Sequence, residues 1–91
     1  CAVSATGTGD AFFRVAFARR IADLIELAGL APREAAERAL DEVRAVKGLG
    51  GCILIDGQGR ITTALNSPQM VRGSLVEGEP MRLGIGPEDD A

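Results

Sequence analysis

Hydrophobic positions fall along the chain in two kinds of pattern, short continuous runs and helical spacing. Cys1–Val3 is a short apolar run that changes at Ser4-Ala5-Thr6-Gly7-Thr8-Gly9-Asp10 into a glycine-rich turn. A helical pattern follows at once. Phe13, Phe17, Ile21, Leu24 and Ala28 recur at helical spacing, and Phe12, Val15, Ala18, Ala22 and Ile25 form a second apolar face. Arg14, Arg19, Asp23 and Glu26 occupy a narrow polar strip, with Arg19 and Asp23 four apart and able to pair. So wide a stripe predicts one long, mostly buried helix, with Asp10 at its N-cap or in its first turn and Gly29 as a left-handed cap.

Pro32 sits where a first-turn proline belongs, and Glu34 supports the same start. The second helix runs to about Val46, where Lys47-Gly48 closes it. Its apolar face is Ala35, Ala36, Ala39, Leu40, Val43 and Val46; its charged face is Arg33, Glu37, Arg38, Asp41 and Arg44. Glu34 with Arg38, and Arg38 with Glu42, are spaced as surface pairs. The alanines imply close approach to the first helix or to a sheet.

The period then shortens. Gly50-Gly51 opens Cys52-Ile53-Leu54-Ile55, a continuous apolar run as in a strand buried on both faces. Asp56-Gly57-Gln58-Gly59 is a tight turn, and Arg60–Leu65 is the return strand of a hairpin. Ser67-Pro68 breaks the pattern after Asn66. The stretch to Gly78 is a connection with one helical turn around Gln69–Arg72, Met81–Ile85 is a last strand, and Gly86–Ala91 is an acidic, frayed tail. The order is therefore strand, two helices, β-hairpin and last strand: an α+β layer with both helices on one face of an antiparallel sheet. The Cys52 strand needs cover on its other face, and no element is left to supply it, so a partner or an absent segment completes the fold. The chain also begins within an apolar run without a methionine or a cap, as expected of a fragment or a processed chain.

Composition narrows the functions. The 91 residues make one small domain or a piece of one, 46% hydrophobic with 3% aromatic, so the core is aliphatic. A net charge of −3 with no basic stripe argues against nucleic acid or an anionic membrane surface. No apolar run reaches the roughly 18 residues needed to span a bilayer, and no signal peptide opens the chain. Cys1 and Cys52 do not form a metal spacing, no cofactor motif is present, and the simplest compartment is a reducing cytoplasm. Zero histidines exclude a His-based triad or a His-ligated zinc.

The candidate chemistry lies in Thr6-Gly7-Thr8-Gly9-Asp10. A strand–turn–helix junction points backbone N–H groups at whatever sits above it, which suits an anion or a developing oxyanion. From local physics three readings stand: a helix cap and nothing more, an anion- or nucleotide-binding turn, and an oxyanion site. The second lacks both the P-loop lysine and the dinucleotide-binding spacing.

Ala2-Val3-Ser4-x-Thr6-Gly7-x-Gly9 followed by an acidic residue, a long amphipathic helix, Lys47-Gly48-Leu49-Gly50-Gly51-x-Ile53, a hairpin with Asp56-x-x-Gly59, and Asn66-Ser67-x-x-Met70 together resemble the plant-type L-asparaginases, the isoaspartyl peptidases of the N-terminal-nucleophile hydrolase superfamily. The match resembles the C-terminal portion of their β subunit; glycosylasparaginase is a close cousin. The resemblance implies part of an αββα sandwich, and an amidohydrolase that cleaves the side-chain amide of L-asparagine and of β-aspartyl dipeptides. In that family a precursor cleaves itself, and the new N-terminal threonine attacks with its own α-amino group as base. The resemblance gives the Thr6 hydroxyl and Gly7 N–H the oxyanion role and makes Thr6, Gly7, Thr8 and Gly9 the substrate-binding turn, Gly9 facing the substrate's α-ammonium group. The implied partners are the α subunit and the missing N-terminal part of the β subunit, as a dimer of αβ heterodimers. The family's threonine nucleophile, and the Arg and Asp that clamp the substrate, are not in these 91 residues, so this chain alone is expected to be inactive. Cys1, though N-terminal, sits on the strand entering the turn and would be interior in an intact β chain. The remaining alternatives are a glycosylasparaginase-like piece and a non-enzymatic α+β module.

Overall fold

The computed structural model describes residues 1–89. The elements run β1 (Ala2–Gly7), α1 (Gly9–Arg14), α2 (Phe17–Glu26), α3 (Pro32–Ala45), β2 (Gly50–Ile55), β3 (Ile61–Leu65), β4 (Arg72–Ser74) and β5 (Arg82–Gly84). The class is α+β. β1, β2 and β3 form an antiparallel sheet in that order, and β4 and β5 pair as a separate antiparallel ribbon.

Register divides the sheet into two unlike faces. Cys52 opposes Ala5 and Ala64, and Leu54 opposes Val3 and Thr62. Cys52 and Leu54 are each 1% exposed, under a core of Phe12, Phe17, Ile21, Leu24, Leu40 and Val43 from the helices. The other face carries Ile53 and Ile55, with Ile61 beside Ile55. These three remain 39–48% exposed, so β2 is buried on one face only. The ribbon reaches part of this side: Gly73 and Leu75 line, with Ile53, Ile55 and Ile61, a hollow of about 370 Å³. The expectation of a strand buried on both faces is thus met by half, for want of any described element long enough to cover the rest.

The long first helix is two helices. Ala16 takes a left-handed conformation (φ 50, ψ 55) between α1 and α2. In a continuous helix Phe12 and Phe17, five residues apart, would project about 140° from one another. The break brings their rings together edge to face, with centroids 4.7 Å apart at 62°. A left-handed non-glycine residue costs about 1–2 kcal/mol, which burial of two aromatic side chains readily offsets. Phe13 is turned outward as a result, 87% exposed, so Phe12 and not Phe13 joins Phe17, Ile21 and Leu24 in the core. Arg19 and Asp23 pair as expected at 3.0 Å. Arg38 takes neither partner expected of it: Glu42 pairs across the helices with Arg20, at 2.9 Å.

Pro32 occupies the first turn of α3, and Ala35, Ala36 and Ala39 are fully buried against α2 and β3, where a larger side chain would hold the backbones apart. α3 ends in a Schellman motif: Gly48 N–H donates to Val43 O at 2.9 Å and Lys47 N–H to Arg44 O at 2.8 Å. The left-handed residue is Lys47 (φ 66), although a glycine follows it. Gly48 is required for another reason: a Cβ there would overlap the Ala11 side chain and come within 2.8 Å of Val43 Cγ1.

The hairpin turn is organised by Asp56. Its Oδ1 accepts the Gln58 and Arg60 N–H groups, both at 2.9 Å, and its Oδ2 meets Arg60 Nε at 2.8 Å. These bonds hold the Asp56 carboxyl below its ordinary range, the Arg60 N–H first among them. Gln69–Arg72 is not a helical turn; Arg72 instead opens β4, and the last strand pairs with β4 rather than with the main sheet. The frayed tail does not begin at Gly86: buried Arg72 donates to Met70 O, Gly86 O and Asp89 O, and Asp89 Oδ2 accepts the Ile85 and Gly86 N–H groups. Those two N–H groups, then the Arg72 charge, lower the Asp89 carboxyl from its ordinary value. The rest of the expected tail, residues 90–91, lies outside the described residues. No helix among the described residues is long and apolar enough to cross a membrane.

The two residues at the end of α3 separate by mutation. Lys47→Gly removes a left-handed penalty and stabilises by up to about 1 kcal/mol, whereas Gly48→Ala destabilises by about 1–3 kcal/mol through overpacking. Denaturant midpoints of both variants check the pair; shifts of the same sign would contradict the assignment.

Candidate functional site

β1 delivers the turn, and two glycines decide how closely it can approach β2. Gly7 opposes Gly50. Gly7 has φ +137, which L side chains rarely adopt, and a Cβ on it would fall on the Leu49 carbonyl and lie 2.6 Å from Gly50 Cα. A Cβ on Gly50 would in turn fall on Thr6 O and lie 2.8 Å from Gly7 Cα. The Phe12 ring edge sits beneath both, 2.8–3.0 Å from either Cβ position. The chain crossing is therefore backbone on backbone, with an aromatic floor.

Hydrogen bonds lock this crossing from one side. Thr8 N–H donates to Leu49 O at 2.9 Å, and the Thr8 hydroxyl accepts Leu49 N–H at 3.2 Å and donates to Leu49 O at 3.3 Å. With the bond placed between Thr8 and Leu49, the Gly7–Gly50 pair is a non-hydrogen-bonded pair of the antiparallel ladder. The N–H and C=O of Gly7 consequently point away from β2, off the free edge of β1, which is the outer strand of the sheet.

Each residue of the turn has a distinct situation. Thr6 opposes Gly51 on the uncovered face of the sheet, exposed, and its hydroxyl has no hydrogen-bond partner among the described residues. With Ser4, Ile53, Met70 and Gly73 it lines a hollow of about 170 Å³. Thr8 is the N-cap of α1, yet its side chain makes no capping bond, because the hydroxyl is committed to Leu49. Asp10 lies in the first turn of α1. Gly9 has neither positive φ nor any atom within 4 Å of a would-be Cβ, so nothing within the described residues demands a glycine there. Thr6, Gly7 and Gly9 thus form an open group, while Thr8 faces the adjacent loop instead.

Two residues outside the TGTGD motif complete the arrangement. Leu49 supplies both main-chain groups that Thr8 grips, and Asn66 holds the next residue, Gly50. The sequence pattern puts Leu49 in a glycine-rich run and Asn66 at a strand end and gives neither a task; the signal for Asn66 is an asparagine directly after a strand, where its side chain can replace a ladder carbonyl. The cysteines take no part. Cys52 is in the core, where burial pushes its thiol up to about 11 against a smaller opposing effect of its Ala64 backbone hydrogen bond. Cys1 is exposed at the start of β1. No group of three or more His, Cys, Asp or Glu able to hold a metal ion occurs among the described residues.

A family model described as Asparaginase matches residues 1–85 of the chain. The isoaspartyl peptidases of Salmonella typhimurium and Escherichia coli strain K12 are each 39% identical to it over 85 residues, 92% of this chain and 27% and 26% of theirs. A probable isoaspartyl peptidase/L-asparaginase 2 of Arabidopsis thaliana is 33% identical over 85 residues, 93% of this chain and 26% of its own length. The chain spans about a quarter of the length of these curated relatives.

The glycines of the turn are expected to part company. Gly7→Ala destabilises by at least about 2 kcal/mol, from forbidden φ and backbone overlap. Gly9→Ala leaves stability unchanged or raises it by up to about 1 kcal/mol; equal losses in thermal unfolding would contradict the geometry. Cys52 provides a pH test. Its folded-state value of about 11 lies above the ordinary 9.0, so its contribution is fully present below pH 9 and is lost as pH rises toward about 11. Unfolding midpoints across that window should fall more steeply for the parent protein than for Cys52→Ala.

Proposed function

The chain belongs to the asparaginase family, and from that premise we propose that it is the segment of an amidohydrolase that receives the oxyanion when the side-chain amide of L-asparagine or of a β-aspartyl dipeptide is cleaved. The observation that carries the reading is the pair of donors at the end of β1: the Gly7 N–H directed off the sheet edge, and the Thr6 hydroxyl on the uncovered face, without a partner among the described residues.

The chemistry asks for such a pair. A hydroxyl nucleophile adds to the amide carbon, and the carbonyl oxygen becomes an oxyanion. Collapse breaks the C–N bond, expels ammonia from asparagine or an amine from a β-aspartyl peptide, and leaves an ester that water hydrolyses. Donors already fixed in place stabilise the oxyanion without reorganising, and this is commonly the largest single contribution to catalysis. Here the Gly7–Gly50 crossing and the Thr8–Leu49 bonds supply the rigidity. Open space at Gly9 suits the close approach of a substrate ammonium group to the backbone. The nucleophile is an N-terminal threonine, generated by autoproteolysis in a part of the longer protein outside these residues. A helix cap as the whole purpose of the turn is disfavoured by the missing side-chain cap bond at Thr8.

The uncovered Ile53, Ile55 and Ile61 support a second layer over this face, donated by the N-terminal part of the β subunit and the α subunit in an αββα sandwich, with two αβ heterodimers pairing. Free thiols at Cys1 and Cys52 agree with a reducing cytoplasm.

The test is Thr6→Ala in the longer protein. kcat for a β-aspartyl dipeptide should fall about 10²- to 10³-fold, KM should change little, and stability should stay within about 0.5 kcal/mol because Thr6 is exposed. Undiminished hydrolysis by this variant would remove Thr6 from the oxyanion site.

A further inference from the structure

We infer that Asn66 is a positioning residue for the Thr6 and Gly7 donors and that it acts through Gly50. The inference rests on the reading of those donors as an oxyanion site.

Asn66 follows the last residue of β3. Its own N–H donates to Gly50 O at 2.8 Å, which continues the β2–β3 ladder by one bond. The reciprocal ladder bond would run from Gly50 N–H to Asn66 O. The chain has already turned away there, and Asn66 O instead accepts Arg44 Nη2 at 3.3 Å. The side chain takes over: Oδ1 accepts Gly50 N–H at 2.7 Å. Both polar main-chain groups of Gly50 therefore go to one residue. They are available because the Gly7–Gly50 pair is non-hydrogen-bonded, so Gly50 turns its N–H and C=O away from β1.

The far end of the same amide is anchored. Nδ2 donates to Leu40 O at 3.3 Å and to Gly48 O at 3.4 Å. One half-buried head group thus ties α3, the loop after it and the end of β3 to Gly50, whose Cα backs directly onto Gly7. A rotation of Gly50 has nowhere to go except into Thr6 and Gly7. Asparagine alone fits: the site needs an acceptor toward one N–H and donors toward two carbonyls on one short stem. Aspartate would set an oxygen against two carbonyl oxygens, and alanine would take the acceptor from the Gly50 N–H and the anchoring donor from the Leu40 and Gly48 carbonyls.

The experiment uses Asn66→Ala and Asn66→Asp in the longer protein, with kcat and KM for a β-aspartyl dipeptide and site-resolved amide hydrogen exchange. A positioning role predicts that both variants lose about tenfold to a hundredfold in kcat, with KM within about twofold. It also predicts faster exchange at Gly50 and Thr8 while amides around Ile21 keep their protection. Unchanged exchange at Gly50 and Thr8 would overturn the inference, and so would exchange that rises equally in the helical core. If the parent protein hydrolyses no β-aspartyl dipeptide, the amidohydrolase reading falls; selective loss of protection at Gly50 and Thr8 would still uphold Asn66 as the residue that holds the turn.

Discussion

Gly7 and Gly50 meet across the first two strands at a distance that admits no side chain on either. Most of the local architecture depends on this contact. It brings Leu49 within reach of Thr8, seats both backbones on the Phe12 ring, and sends the polar groups of the two glycines in opposite directions. Gly50 addresses Asn66 on the inside, and Gly7 addresses the space beyond the sheet edge. An open N–H on a rigid strand end is what a site for a transient anion requires, since a donor that must first reorganise loses much of its benefit.

The core serves that contact. Phe12 lies against the glycines, and the backbone break at Ala16, where a left-handed residue is tolerated, brings Phe17 edge to face against it. Behind it the three buried alanines of α3 let that helix lie close to α2 and to β3. The Schellman turn at Lys47 and the close fit of Gly48 against Ala11 then set the direction in which the chain enters Leu49 and Gly50. Packing, helix termination and site geometry form one connected path of short contacts, from the aromatic pair to the donor.

The two faces of the sheet are unlike. One face is closed by helices and carries the buried Cys52 and Leu54. The other carries Thr6 with three exposed isoleucines and is reached in part by the β4–β5 ribbon. Exposed aliphatic surface of this kind supports the proposed second layer.

Much of this was legible in the order of the residues. The helical spacing of Phe17, Ile21 and Leu24, the proline opening α3, the Asp56–Gly59 turn and the run Cys52–Ile55 are each local signals, written into a few neighbouring residues of the chain. The surplus apolar face of β2 followed from the same pattern, because alternation was missing where one sided burial would have shown it. The TGTGD junction and the glycine run after Lys47 carried the family resemblance. Where local options were nearly equal, the sequence by itself did not choose. Phe12 or Phe13 inward, Arg38 or Arg20 beside Glu42, and a helical turn or a strand at Arg72 are not separated by the local pattern, and at the end of α3 the left-handed residue is Lys47 although local energy favours a glycine. Tertiary structure decided them through contacts between residues far apart in the chain: Phe12 against Gly7 and Gly50, Gly48 against Ala11, Arg72 against Gly86 and Asp89, and Asn66 against Gly50.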